Sequence, residues 1–261
     1  MRSEGARTGI DRFEDGGRYV LARGAHLEDM YPQRDNTPTI RRWIREVLFV
    51  RPHVVAVFDT TRVTGRAGDR WMAWHFGPRP SKTLDGSGGA VRYDIGKQTS
   101  YAGSVDVVGP PHRSFKIVDL FKDAPDCNPR PSACGGKTFR LEIHGSATTN
   151  PERWLTVFDS AASPSLAAKP APLGHPSAVT GALLQGRGAD QAIGSSTGDG
   201  TALRYTVRSA STRHTIIDLP PNASYRLSER RSGASDVISL RRGAGDLHAS
   251  PDGVLTFTTG G

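Results

Sequence analysis

His26, Glu28 and Asp29 lie within four residues in GAHLEDMY, a stretch that closes on Tyr31. On a strand, alternate residues share a face, so His26 and Glu28 could together hold a metal or shuttle a proton. The competing reading is a polar loop, and two candidate ligands fall short of a metal site. A second grouping is Arg41, Trp43 and Arg45, which on a strand point the same way. Two guanidinium forks grip carboxylate or sulfate with paired hydrogen bonds, and an indole between them stacks on the apolar face of a sugar. The competing reading puts Trp43 between two sheets, with the arginine stems covering it. The substrate-binding candidates are therefore Arg41, Trp43, Arg45, His26 and Tyr31.

Other matches fail on context. Gly194-Ser195-Ser196-Thr197-Gly198 fits G-x-S-x-G, but a nucleophile elbow needs a following helix, and here the β-rich run ALRYTVR comes next. Gly135-Gly136-Lys137-Thr138 resembles the end of a phosphate loop, yet Pro131 stands where the first glycine belongs. Asp246, His248 and Asp252 repeat the weak polar signal of His26 and Glu28, and Asn222-Ala223-Ser224 matches a glycosylation acceptor too short to carry weight. Cys127 and Cys134, with six residues between them in a Pro/Gly-rich loop, are a candidate disulfide in an oxidising compartment; the alternative is two free thiols. Paired C-x-x-C clusters are missing, so no structural metal is expected.

The elements that must position these groups read as β-strands. From Arg41 to Phe76, three strand-like runs are separated by Arg51-Pro52 and by Gly65-Arg66-Ala67-Gly68. Ile40, Trp43, Ile44, Val47 and Leu48 also fit a helical stripe, but the VLFV run favours a strand. Phe139, Leu141 and Ile143 alternate with charged residues, as do Leu203, Tyr205 and Val207. That alternation marks antiparallel sheets with one wet face. Short strands at regular spacing predict an all-β, large two-sheet antiparallel sandwich with little helix. Residues 1–16 read as a flexible leading segment and 17–261 as the sandwich domain, with the Ala/Pro/Ser-rich stretch 161–177 as a loop or linker inside it.

Composition narrows the partners. A formal charge of +8 and pI near 9.9 favour anionic partners. Zinc-finger spacing, basic heptads and an RNP-like aromatic strand are all lacking, so nucleic acid is not expected. No apolar run approaches the ~20 residues that span a bilayer, and the first residues carry no secretory h-region.

Three regions in order resemble the C-terminal β-sandwich of the heparinase II/III-like polysaccharide lyases. The first is TIRRWIREVLFVRPHVVAVFD with DRWMAWHF; the second is RWLTVFDSA at Arg153–Ala161; the third is RHTIIDLPPNASYRLS followed by SPDGVLTFTT. The resemblance implies an acidic polysaccharide as partner and a periplasmic or secreted location. It also implies an α-helical toroid that supplies most catalytic residues for β-elimination at a uronate. None of the toroid motifs is matched here, so no catalytic residue is carried over. Zinc occurs in the family, but no ligand set is identifiable in this chain and no cofactor is expected. The expected role is a structural or substrate-cleft module. The rivals are a fragment of an active lyase and a free-standing carbohydrate-binding module.

Overall fold

The computed structural model describes residues 8–30, 40–64, 71–77, 79–83, 91–98, 101–111, 113–120, 139–145, 150–160, 169–185, 190–208 and 211–260. Strand makes up 72% and helix 3% of it, so the all-β expectation holds. The first half runs β1 (Gly9–Asp15), β2 (Tyr19–Ala25), a 3-10 turn η1 (Leu27–Met30), β3 (Ile40–Val50), β4 (Val54–Val63), β5 (Trp71–Phe76) and β6 (Ser81–Thr83). It continues through β7 (Val91–Gln98), β8 (Tyr101–Gly109), β9 (Ser114–Asp119), β10 (Phe139–His144) and β11 (Glu152–Asp159). The second half is β12 (Lys169–Pro172), β13 (Gly174–Ser177), β14 (Val179–Gln185), β15 (Asp190–Ser196), β16 (Ala202–Arg208) and β17 (Thr212–Ile217). It closes with β18 (Ser224–Ser232), β19 (Ser235–Arg242), β20 (Leu247–His248) and β21 (Leu255–Thr259).

Among the described residues the strands form four sheets where the sequence reading expected two. Their orders are β1-β2-β3-β4-β11-β8-β7-β6, β5-β10-β9, β12-β14-β15-β17-β21 and β13-β16-β19-β18-β20. Pairing is antiparallel except between β15 and β17. Three cores separate four stacked layers. Met72, Leu141 and Ile143 of the three-stranded sheet meet Val105, Val107 and Trp154 of the large sheet. The opposite face of the large sheet, with Leu21, Leu48, Phe58 and Leu155, packs on Ala182, Leu184, Ile193 and Ile217. The third core sets Leu183, Ile216 and Leu255 against Leu203, Tyr205, Tyr225 and Leu240. The extra layers follow from burial on both faces of inner strands. In β4 and β11, successive side chains enter different cores, which requires a nearly unbroken apolar run rather than strict alternation. Each large aliphatic side chain so buried stabilises the fold by about 1.5–3 kcal/mol.

Two segments depart from the expected organisation. Gly9–Asp15, assigned above to a flexible leading segment, is a strand paired with β2 along Gly9–Ala25 to Asp15–Val20. Within 161–177, Lys169–Pro172 and Gly174–Ser177 are strands rather than linker. Each is the edge of its own sheet. An edge strand tolerates proline because one side of its ladder needs no N–H donor, which is how KPAP can pair with β14. Residues 161–168 lie outside the described residues, as do Tyr31, the Gly135–Thr138 motif and both Cys127 and Cys134.

Candidate functional site

The start of β3 gathers most of the residues nominated from the sequence. His26 follows β2 with a left-handed φ of 57°, and the chain turns there into η1. His26 and Glu28 therefore do not share a strand face. They meet through the turn instead, with Nδ1 of His26 3.5 Å from Oε1 of Glu28. The other oxygen of Glu28 accepts the backbone N–H of Trp43 at 2.7 Å, which ties η1 to β3. Arg41 falls at a register shift between Ile40 and Arg42 in the β3–β4 ladder. A bulge re-aims the side chain it carries, so Arg41 is exposed and does not extend a flat Arg–Trp–Arg face.

Trp43 and Arg45 do share a face, and both turn inward. Asp59, directly across from Arg45 on β4, takes hydrogen bonds from Nε at 2.8 Å and from a terminal guanidinium nitrogen at 3.1 Å. The Trp43 indole N–H adds a third, at 2.6 Å. The guanidinium lies 5.2 Å from the Trp43 ring and 5.0 Å from that of Trp74 on β5, and donates towards the Met72 sulfur at 3.0 Å. Burial raises the Asp59 carboxyl, while Arg45 and the Trp43 N–H pull it back. This constellation locks the three-stranded sheet onto the large one. Chemically it is a satisfied structural ion pair, and the arginine stem covers Trp43 as packing predicts.

A second charged group sits between the large sheet and the sheet carrying β15. Glu46, on the core side of β3, is buried and accepts the Ser195 hydroxyl at 2.8 Å, while its Oε1 has no hydrogen-bond partner. Burial raises its carboxyl, and the nearby Asp218 carboxylate adds to the rise. Asp218, at φ 57°, lies 3.7 Å from Arg12 and 4.0 Å from Arg23. Ser195 and Ser196 are the buried last residues of β15, so G-x-S-x-G forms no nucleophile elbow. Of the Asp246–His248–Asp252 group, His248 is exposed and faces Ser224 at 3.1 Å. No group of three or more His, Cys, Asp or Glu among the described residues is placed to hold a metal.

A further binding geometry is one the sequence reading missed. On the outer face of the last sheet, Arg204, Arg226, Arg230 and Arg241 line a groove of about 470 Å³ together with Ser228, Ser239 and Val237. The register sets them out as a grid. Arg241 stands opposite Arg226, Ser239 lies between Arg204 and Ser228, and Val237 lies between Thr206 and Arg230. The opposite face of the same strands carries Leu203, Tyr205, Ile238 and Leu240 into the core, so period-two alternation alone sends the arginines outward.

No family model matches the sequence, and no curated protein matches it. Solved structures do. A heparan sulfate lyase HepC mutant from Pedobacter heparinus matches with a TM-score of 0.50 at 11% identity, covering 73% of this chain and 28% of that one. HepC without the mutation gives 0.47 at 10% identity over the same shares, and a heparinase III gives 0.43 at 9% over 72% and 27%. The chain thus spans little more than a quarter of the lyases it matches. At these identities the likeness shows the fold, and it agrees with the β-sandwich resemblance read from the sequence. No helix among the described residues is long and apolar enough to cross a membrane.

Proposed function

We propose that the chain is the β-sandwich module of a heparinase II/III-like polysaccharide lyase, with a structural and substrate-cleft role towards an acidic polysaccharide. The helical catalytic part would be supplied by a separate segment or partner chain, at an exported location. The observation that carries this reading is the layered β fold shared over 73% of the chain with part of a heparan sulfate lyase. The site chemistry supports it. β-Elimination needs a base at the uronate C5, an acid at the leaving oxygen and a cation at the carboxylate, all around one cleft. Among the described residues the raised carboxyl of Glu46 faces a core, and the acidic group of Asp59 is taken up by Arg45 and Trp43. Among the described residues cations are abundant, and neither of these two buried carboxyls stands in an open cleft. The test is ultraviolet detection of unsaturated uronate after the purified chain meets heparin, alginate or hyaluronan. No product is expected. Robust turnover, abolished by changing His26 or Tyr31, would overturn the reading.

A further inference from the structure

We propose that the outer face of the β13-β16-β19-β18-β20 sheet is a binding site for an extended acidic polysaccharide, held by Arg204, Arg226, Arg230 and Arg241. This site lies on the outermost layer, away from the His26–Trp43 corner, and its assignment does not depend on the chain being part of a lyase.

The register supplies the first argument. Arg226 and Arg241 are directly opposed across an antiparallel pair. Like charges in that position destabilise a sheet unless something neutralises them. None of the four arginines makes a hydrogen bond or ion pair to another described residue, and no acidic side chain among the described residues lines the groove. Some arginines elsewhere are matched: Arg45 with Asp59, Arg51 with Asp15, Arg140 with Glu142. Four guanidinium groups around one groove, none with a partner among the described residues, favour a complementary charge provided from outside.

The rest of the lining selects the ligand class. Guanidinium forks suit the planar oxygens of carboxylate and sulfate. Ser228 and Ser239, side by side in the middle of the grid, present hydroxyls that can donate to or accept from sugar hydroxyls. Val237 gives a small apolar floor for a C–H face. Arg226 and Arg230, four residues apart on one strand, are about 13 Å from each other along the strand axis, so a linear chain lying along β18 would meet two cations along its length. Single-stranded nucleic acid fits less well, because its binding relies on aromatic stacking and no aromatic side chain among the described residues lines this groove. A lipid surface also fits less well. The large exposed apolar residues Ile10, Phe13, Met30 and Trp71 all belong to the first two sheets or η1, and an interfacial site needs such groups beside its cations.

The experiment compares the wild-type chain with Arg226→Ser/Arg241→Ser and with Arg18→Ser/Arg62→Ser, an equal loss of exposed charge outside the groove. Circular dichroism first checks that all three are folded. The probes are size-defined heparin and alginate oligosaccharides, titrated calorimetrically at physiological and at raised salt, with oligo-dT and anionic phosphatidylserine vesicles as competitors. The groove variant should weaken oligosaccharide binding by about tenfold or more, as expected for loss of two charge-assisted contacts, and the control by less than about threefold. Raised salt should weaken the wild type. Equal losses in both variants, absence of oligosaccharide binding by the wild type, or tighter groove-dependent binding of oligo-dT or vesicles would each overturn the proposal. A lyase assay that fails or succeeds leaves these outcomes unchanged, so the groove and the lyase-module reading stand or fall separately.

Discussion

Replacing His214 with phenylalanine should change how the stability of the chain responds to acid. His214 is fully buried on β17, its ring stacked on Phe257 at 4.4 Å between centroids and 4° between planes. Nδ1 lies 2.8 Å from the Tyr205 hydroxyl and Nε2 2.7 Å from that of Thr259. A neutral imidazole has one donor and one acceptor, and two hydroxyls satisfy both. Charging the ring inside this core costs desolvation with no carboxylate among the described residues in contact to offset it, and burial pushes its pKa down from 6.5 to about 4. Because the folded ring binds its proton less tightly than the unfolded one, the stabilisation is fully present above pH ~6.5 and is lost as pH falls towards ~4. The linked free energy is about 3 kcal/mol in full, of which about 2 kcal/mol is lost between pH 7 and pH 5. His214→Phe keeps the stack but strands the Tyr205 and Thr259 hydroxyls, so the variant should be less stable at neutral pH by about 1–3 kcal/mol for each group left unpaired. It cannot titrate. Denaturant unfolding of both proteins at pH 7, 6 and 5 should therefore show the gap between them shrinking by about 2 kcal/mol. A gap constant to within about 0.5 kcal/mol would refute the reasoning.

Glu46 should act in the opposite direction. Its folded carboxyl is raised, so stability should decline as pH climbs from the ordinary carboxylate range, and Glu46→Gln, which keeps a partner for Ser195, should gain on the wild type across that climb in urea titrations. Asp59→Ala should cost about 3–5 kcal/mol, because Arg45 and the Trp43 N–H would lose their shared acceptor at a packed interface. Thermal unfolding followed by near-ultraviolet circular dichroism reads that loss through the tryptophans.

Strand positions were legible because alternation is local. The run from Ile40 to Val50 carried both a helical stripe and a β-rich centre, and pairing with β2 and β4 on either side decides for the strand. The number of layers was not legible. VVAVF announces a buried strand, but nothing within it says that separate sheets cover its two faces. The same limit hid the arginine groove. Arg226 and Arg230 share a face within SYRLSERRS, and Arg204 stands out in ALRYTVR, yet only the order β16-β19-β18 brings Arg241 between those strands. Judged from sequence alone, Arg241 and Arg242 look like generic tail charge. Conversely, Trp43 and Arg45 looked like a sugar platform because Asp59, fourteen residues or more away in the chain, was not visible as their partner.

The central claim is that this β module engages acidic polysaccharide. Affinity electrophoresis of the native chain through gels containing heparin, alginate or neutral dextran tests it most directly. Migration should be retarded by the two acidic polymers in proportion to their concentration, relieved by added salt, and unaffected by dextran. Unaltered mobility in all three gels, or equal retardation by dextran, would contradict it.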